Sequence, residues 1–242
     1  MPQLKPDLKP KLLKMISQME GGGRAAGNFD GQLLSYGPLQ WNIGQGTLTP
    51  IFRHMVKLNR AGFAAIMGEA FTKAVEGETL ASFIKAQILD GAGRVKPAWF
   101  NCLEALRKTP YAGTAFEVGA KKYLDSAQKL TETLGFTTER GFALCFDVAV
   151  QNGAPRADHI NPYRTALAQN EKAGVDVSQE WQKLKMLSHV VSGAANPRWA
   201  ADVLSRKLSI SLGGTEQSGL LVHKGSFDLE KDFGIVYGRS WY

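Results

Sequence analysis

Two carboxyl groups, Glu20 and Asp30, frame a glycine-rich stretch that reads Glu-Gly-Gly-Gly-Arg-Ala-Ala-Gly-Asn-Phe-Asp-Gly. Cleavage of a glycosidic bond needs this pair of groups: one carboxyl donates a proton to the leaving oxygen, and the other activates water or stabilises positive charge on the sugar ring. Glu20 follows Ile16 and Met19 on an apolar helical face, a half-sheltered setting that suits a proton donor. Asp30 suits the second role, with Ser35 as a hydroxyl that orients water. Each has a plainer reading: a surface glutamate beside a glycine cap, an Asp-Gly turn, and a turn hydroxyl. Tyr36, Gln40, Trp41, Asn42 and Gln45 follow closely. Aromatic faces cover sugar rings and amides bind hydroxyl or acetamido groups, so these five are candidate substrate contacts. The alternative is that Trp41 anchors a hairpin to the core. Farther along, Asp147 and Gln151 share a helix face four residues apart, with Asn152 at the helix exit. They fit either a buried network or substrate contact, and Asp147 is the reserve candidate for the second carboxylate. Arg198, Arg206, His223, Asp228 and Asp232 are weaker leads, explained by separate surface ion pairs.

The elements that must hold these groups are mostly helices. Pro10 opens a first helix that stops at the three glycines after Glu20. Residues 28–42, broken by Asp30-Gly31 and Gly37-Pro38, read as a small hairpin flanking a substrate cleft. Helices are expected over 47–60, with Thr47 or Thr49 at the cap, and over 62–74, 78–90 and 96–107. Longer ones are expected over 110–133 and 137–151, the second apolar on nearly every side and therefore central. Helices over 161–173, 177–192 and 196–208 follow. A short strand at 220–224 and a turn or short helix at 227–233 end the chain. The expected fold class is mostly α (α+β), a single 1–242 domain with a small β-containing lobe around 24–46 and a larger helical lobe.

At 242 residues and 44% apolar composition the chain can bury a full core. Its net charge of +7 favours an anionic partner. Lys121, Lys122 and Lys129 are interspersed with Asp125 and Glu132, so no basic stripe for nucleic acid is evident and none is expected as a partner. The two cysteines, Cys102 and Cys145, read as apolar-embedded thiols rather than a disulfide. The four histidines are scattered singly, so no metal site and no cofactor are expected. Gly44-Gln-Gly-Thr47 lacks the lysine of a phosphate loop. No apolar run reaches transmembrane length, and the amino end lacks the apolar core of a secretion signal. The expectation is a chain made soluble that acts in the bacterial periplasm or cell wall after phage-type or secretion-system delivery.

Met19-Glu-Gly21, Asp30-Gly31 and Leu34-Ser-Tyr-Gly37 together resemble the active-site segment of the lysozyme-like superfamily, in the order and near the spacing of phage-type lysozymes. A threonine stands there in place of Ser35. Ser35-Tyr-Gly-Pro-Leu-Gln40 is also similar to the Ser-x-Gly-x-x-Gln piece of lytic transglycosylases and goose-type lysozymes, in which a glutamate alone suffices. Residues 30–48, with Phe146-Asp-Val-Ala-Val-Gln-Asn152 and Leu221-Val-His-Lys-Gly-Ser-Phe-Asp-Leu229, resemble bacterial and phage peptidoglycan-hydrolase-like proteins. Chitosanases share the general fold at a greater distance. The resemblance implies a muramidase that cuts the β-1,4 links of peptidoglycan glycan strands, with Glu20 as general acid. A lytic transglycosylase, a chitosanase, or a noncatalytic wall-binding or phage structural module are the alternatives. If the protein is an interbacterial toxin, an immunity protein would be a further partner.

Overall fold

The computed structural model describes residues 2–28, 31–153, 156–214 and 227–242. Helix α1 (Leu8–Met19) buries Leu8, Leu12, Met15, Ile16 and Met19, which recur at the spacing of one helical face. The helix is broken by Gly21, Gly22 and Gly23, which take φ of 86°, 86° and 68° in succession. Side chains are strained there, and at Gly23 a Cβ would also meet the Ser17 hydroxyl at 2.8 Å.

The one sheet among the described residues pairs β1 (Ser35–Tyr36) with β2 (Trp41–Asn42), antiparallel, Ser35 opposite Asn42 and Tyr36 opposite Trp41. Its turn is closed by the Gln40 N–H donating to the Gly37 carbonyl at 2.9 Å, with Pro38 setting φ at the second position. The hairpin expected across 28–42 is therefore two residues long on each side.

Residues 16–121 form one compact unit. It contains the hairpin and α2 (Leu48–Leu58), α3 (Arg60–Met67), α4 (Glu69–Glu76), α5 (Leu80–Phe83) and α6 (Pro97–Arg107), and the start of α7 (Pro110–Leu134). The expected 62–74 helix is split by Gly68, whose φ is 82°. The expected 78–90 helix runs from α5 into a π-helical turn, Ile84–Ile88. Aromatic rings bind these pieces together: Phe52 packs on Tyr36, Phe63 and Phe71, and Phe71 packs in turn on Phe83 and Trp99. The Arg53 guanidinium closes the end of α4 by donating to the Val75 and Gly77 carbonyls at 3.1 and 2.8 Å.

Residues 1–15 and 122–242 form the other unit. Here α8 (Glu139–Asn152) is buried from Glu139 to Ala149, as its all-round apolar pattern requires. It packs with α10 (Glu180–Gly193) and α11 (Ala200–Leu212), and α9 (Ala157–Lys172) packs on α10. The Glu180 carboxylate caps α8 from outside, accepting from the Thr137 and Thr138 N–H groups at 2.8 and 3.2 Å. Two expected starts move. Helix α9 begins before Pro162, which lies inside it, and α11 begins at Ala200 rather than beside Pro197. A short α12 (Leu229–Phe233), capped by Asp228, falls within the expected 227–233. The strand expected at 220–224 lies outside the described residues.

Candidate active site

Glu20 stands one residue beyond α1 and extends its hydrogen bonding, its N–H donating to the Ile16 carbonyl at 2.9 Å. It is half-buried. The glycine run then reverses the chain, and the Gly37 N–H donates to the Gly23 carbonyl at 3.2 Å, tying the turn after Glu20 to the hairpin. Backbone contacts thus fix the first part of the chain's path after Glu20.

The next stretch is braced twice. Ala26 pairs with Ser35 through hydrogen bonds of 2.9 and 3.0 Å. Asn28 accepts from the Leu33 N–H through Oδ1 at 2.9 Å and donates its own N–H to the Gly93 carbonyl at 2.7 Å. Gly27 is obligatory beside that contact, because a Cβ there would lie 2.2 Å from the Gly93 oxygen. Asp30, the candidate second carboxylate, lies outside the described residues. Ser35 is buried on β1.

Several expected sugar contacts are placed otherwise. Tyr36 is fully buried; its hydroxyl donates to the Leu103 carbonyl at 2.7 Å, and its ring packs on Phe52 and Phe116. Burial pushes its phenol pKa well above the ordinary value. Trp41 is 3% exposed and stacks on Phe116 at 5.6 Å and 15°. Both are core residues of the hairpin, because they stand opposite each other across it and both pack on Phe116 of α7. The Gln40 amide donates to the Arg24 and Gly37 carbonyls at 3.1 and 3.2 Å, so it braces the loop. Asn42 is buried, and its Oδ1 accepts from the Gln45 N–H at 2.8 Å. Thr47 stands at the N-cap of α2 as expected, but its hydroxyl accepts from the Asn42 N–H at 2.9 Å and makes no capping bond to the helix. Gln45 is exposed and keeps its side chain toward solvent.

In the other unit, Asp147 has 0% exposure. Its carboxylate accepts from the Arg206 Nε and Nη2 at 2.8 and 2.6 Å and from the Lys207 ammonium. Lys207 also donates to Gln151 Oε1 at 2.5 Å. Burial alone would raise the Asp147 pKa, but the two cations overcome it and hold the carboxyl below its ordinary value. A carboxylate sealed this way keeps its network reading and gives no contact to a polymer. Asn152 Oδ1 is buried without a hydrogen-bond partner among the described residues. Sequence reasoning passed over Lys207, although an Arg-Lys pair inside the otherwise apolar and small-residue run 203–212 was its signal. Among the described residues no three His, Cys, Asp or Glu side chains converge on a metal site, and no helix is long and apolar enough to cross a membrane.

These elements, mostly helical with one small antiparallel hairpin after a glutamate-ended helix, are those of a lysozyme-like fold. The sequence matches no protein-family model and no curated protein. Among solved structures, the chain is similar to the native chitosanase of Bacillus subtilis MY002, with a TM-score of 0.56 at 17% identity over 86% of this chain and 88% of that one. The GH46 chitosanase of Gynuella sunshinyii, in complex with chitotetraose, gives the same TM-score and coverage at 15% identity. A variant of the Bacillus enzyme, in which a glutamate near the amino end is replaced by alanine and six glucosamine units are bound, matches equally at 17% identity. At identities this low, the likeness establishes the fold alone. It also shifts emphasis, since the sequence reading placed phage-type lysozymes nearer than chitosanases.

Proposed function

We propose that the protein is a glycoside hydrolase acting on a β-1,4-linked amino-sugar polymer, with Glu20 as the proton donor. The observation that carries this reading is Glu20 itself: a half-buried carboxyl at the end of α1, followed by a glycine reversal tied to the hairpin, in a fold shared with chitosanases across most of the chain. In the proposed step Glu20 gives its proton to the glycosidic oxygen as the C1–O bond breaks. A water oxygen forms the new bond to C1, and its proton passes to a second carboxylate. Asp30 is the proposed acceptor, with Ser35 orienting the water and Gln45 reaching the sugar.

Chitosan is the favoured substrate class, because the relatives include one chitosanase complexed with chitotetraose and one, lacking a glutamate, complexed with six glucosamine units. Peptidoglycan is the second reading, favoured by the net charge of +7, which would draw the protein to an anionic wall and away from a polycation. On that reading the protein acts in the periplasm or cell wall. The test is digestion of both polymers by wild type and Glu20→Gln, with products read by mass spectrometry. New reducing ends from chitosan, made only by wild type, support the proposal as stated. Reducing ends from peptidoglycan alone select the muramidase, anhydro ends select a lytic transglycosylase, and binding without cleavage of either overturns the enzyme reading.

A further inference from the structure

A concavity of about 770 Å³ opens on the surface of the 16–121 unit, between α4, α5, the π-helical turn and α6. That volume falls within the range of small-ligand sites. Its floor is aromatic: Trp99 and Phe83, both partly exposed, meet edge to face at 5.7 Å and 87°, with Phe71 buried beneath. Its polar lining is Glu69, Thr79, Ser82 and Gln87.

Three features make this more than an apolar dent. The first is charge. In a chain of net charge +7, the concavity is lined by a carboxylate and by no cation. Arg60 donates to both Glu69 oxygens, at 2.6 and 3.2 Å, and also pairs with Glu76 at 2.7 Å, so these three side chains sum to one negative charge, which Lys73 nearby offsets in part. The hydrogen bond from Arg60 holds the Glu69 carboxyl below its ordinary pKa, which keeps that charge in place at mildly acidic pH. The second is the π-helical turn, a rare wide turn that recurs at functional sites. It buries Ile84 and Ile88 while presenting Ala86 and Gln87 to the concavity. The third is composition: an aromatic floor for the apolar face of a sugar ring, an amide and two hydroxyls for its hydroxyl groups, and a carboxylate for an ammonium.

We propose that this concavity is a noncatalytic binding site for a glucosamine-containing oligosaccharide, holding the polymer away from Glu20. Trp99 supplies the stacking surface and Glu69 selects the free amine. The inference shares the chitosan substrate class with the catalytic reading, but not its chemistry.

The probe is the glucosamine hexamer, added to the full chain carrying Glu20→Gln, with the indole N–H signal of Trp99 followed by NMR and assigned by loss in Trp99→Phe. The expected result is a saturable shift of that signal. The shift is abolished by Gln87→Arg, which places a cation in the site at an exposed position, and is several-fold weaker with the N-acetylglucosamine hexamer. With Glu20 intact, Gln87→Arg should leave cleavage of short oligomers unchanged and slow attack on long chitosan several-fold. An unmoved Trp99 signal at saturating hexamer, or a shift that survives Gln87→Arg, overturns the site. Equal shifts with both hexamers overturn the role of Glu69. Because the signal does not depend on turnover, a shift in a protein that cleaves nothing would leave the site standing and sink the catalytic reading, and cleavage without a shift would do the reverse.

Discussion

Glu20 and Asp147 are both carboxylates flanking apolar helical sequence, yet the protein treats them in opposite ways. Glu20 ends a helix, half-buried, with its position written into backbone by three glycines and a carbonyl contact to the hairpin. Asp147 sits mid-helix, sealed from water and held by Arg206 and Lys207. The difference teaches that a carboxylate's setting depends less on its neighbours in sequence than on where the fold buries it and which cations it meets there. The proposed proton donor keeps part of its surface exposed, and the carboxylate that organises the core keeps none.

The contrast is broken most sharply at Glu20. Glu20→Gln should lower kcat by about 10²–10⁴-fold, the usual loss for a general acid, with unfolding free energy within about 0.5 kcal/mol of wild type. Steady-state kinetics beside urea titration checks both numbers. Asp147→Ala should do the opposite in kind, costing about 3–5 kcal/mol of stability because two buried cations lose their partner. Its pH dependence gives a second handle. The folded pKa of Asp147 is depressed, so its stabilisation is complete above the unfolded value of about 3.9 and drains away as pH falls through the lower folded value. The stability gap between wild type and Asp147→Ala, followed by denaturant titration from neutral to strongly acidic pH, should narrow only in that acidic window; a gap that is flat with pH would mean the pair is not what stabilises the core.

Trp41→Ala separates a core role from a sugar contact. Removing a ring stacked on Phe116 should cost about 3–5 kcal/mol, and thermal unfolding reads it. A stable variant with a raised KM would restore Trp41 as a sugar platform. The smallest expected effect belongs to Tyr36→Phe, which deletes one buried hydrogen bond to the Leu103 carbonyl, worth about 1 kcal/mol, and should leave KM unchanged.

What the sequence made legible follows from the same physics. The end of α1 was readable because three consecutive glycines cannot continue a helix, and the buried α8 was readable because nothing polar interrupts it on most sides. The hairpin was readable from Gly37-Pro38, but its two-residue length was not, since strand length depends on partners that close the edge. Tyr36 and Trp41 were read toward sugar because an aromatic residue beside amides has the same composition whether its faces meet a ligand or Phe116. The helix expected over 62–74 runs across Gly68, whose positive φ makes it two helices. The helix expected over 161–173 begins earlier, at Ala157, and carries Pro162 inside it despite the missing N–H. The concavity floored by Trp99 was hidden for a different reason, because it joins residues from five elements and no local pattern announces it.

The division of the chain also orders its biosynthesis. The unit that carries Glu20 is one continuous stretch, residues 16–121, whereas the other needs residues from both ends of the sequence. As the polypeptide leaves the ribosome amino end first, the first unit has all its parts once residue 121 has emerged. The opening residues of α1 must wait, without most of their own unit, until the last helices are made. A stop codon between residues 121 and 206 would therefore remove the Asp147 network while still producing the whole 16–121 stretch that carries the proposed proton donor.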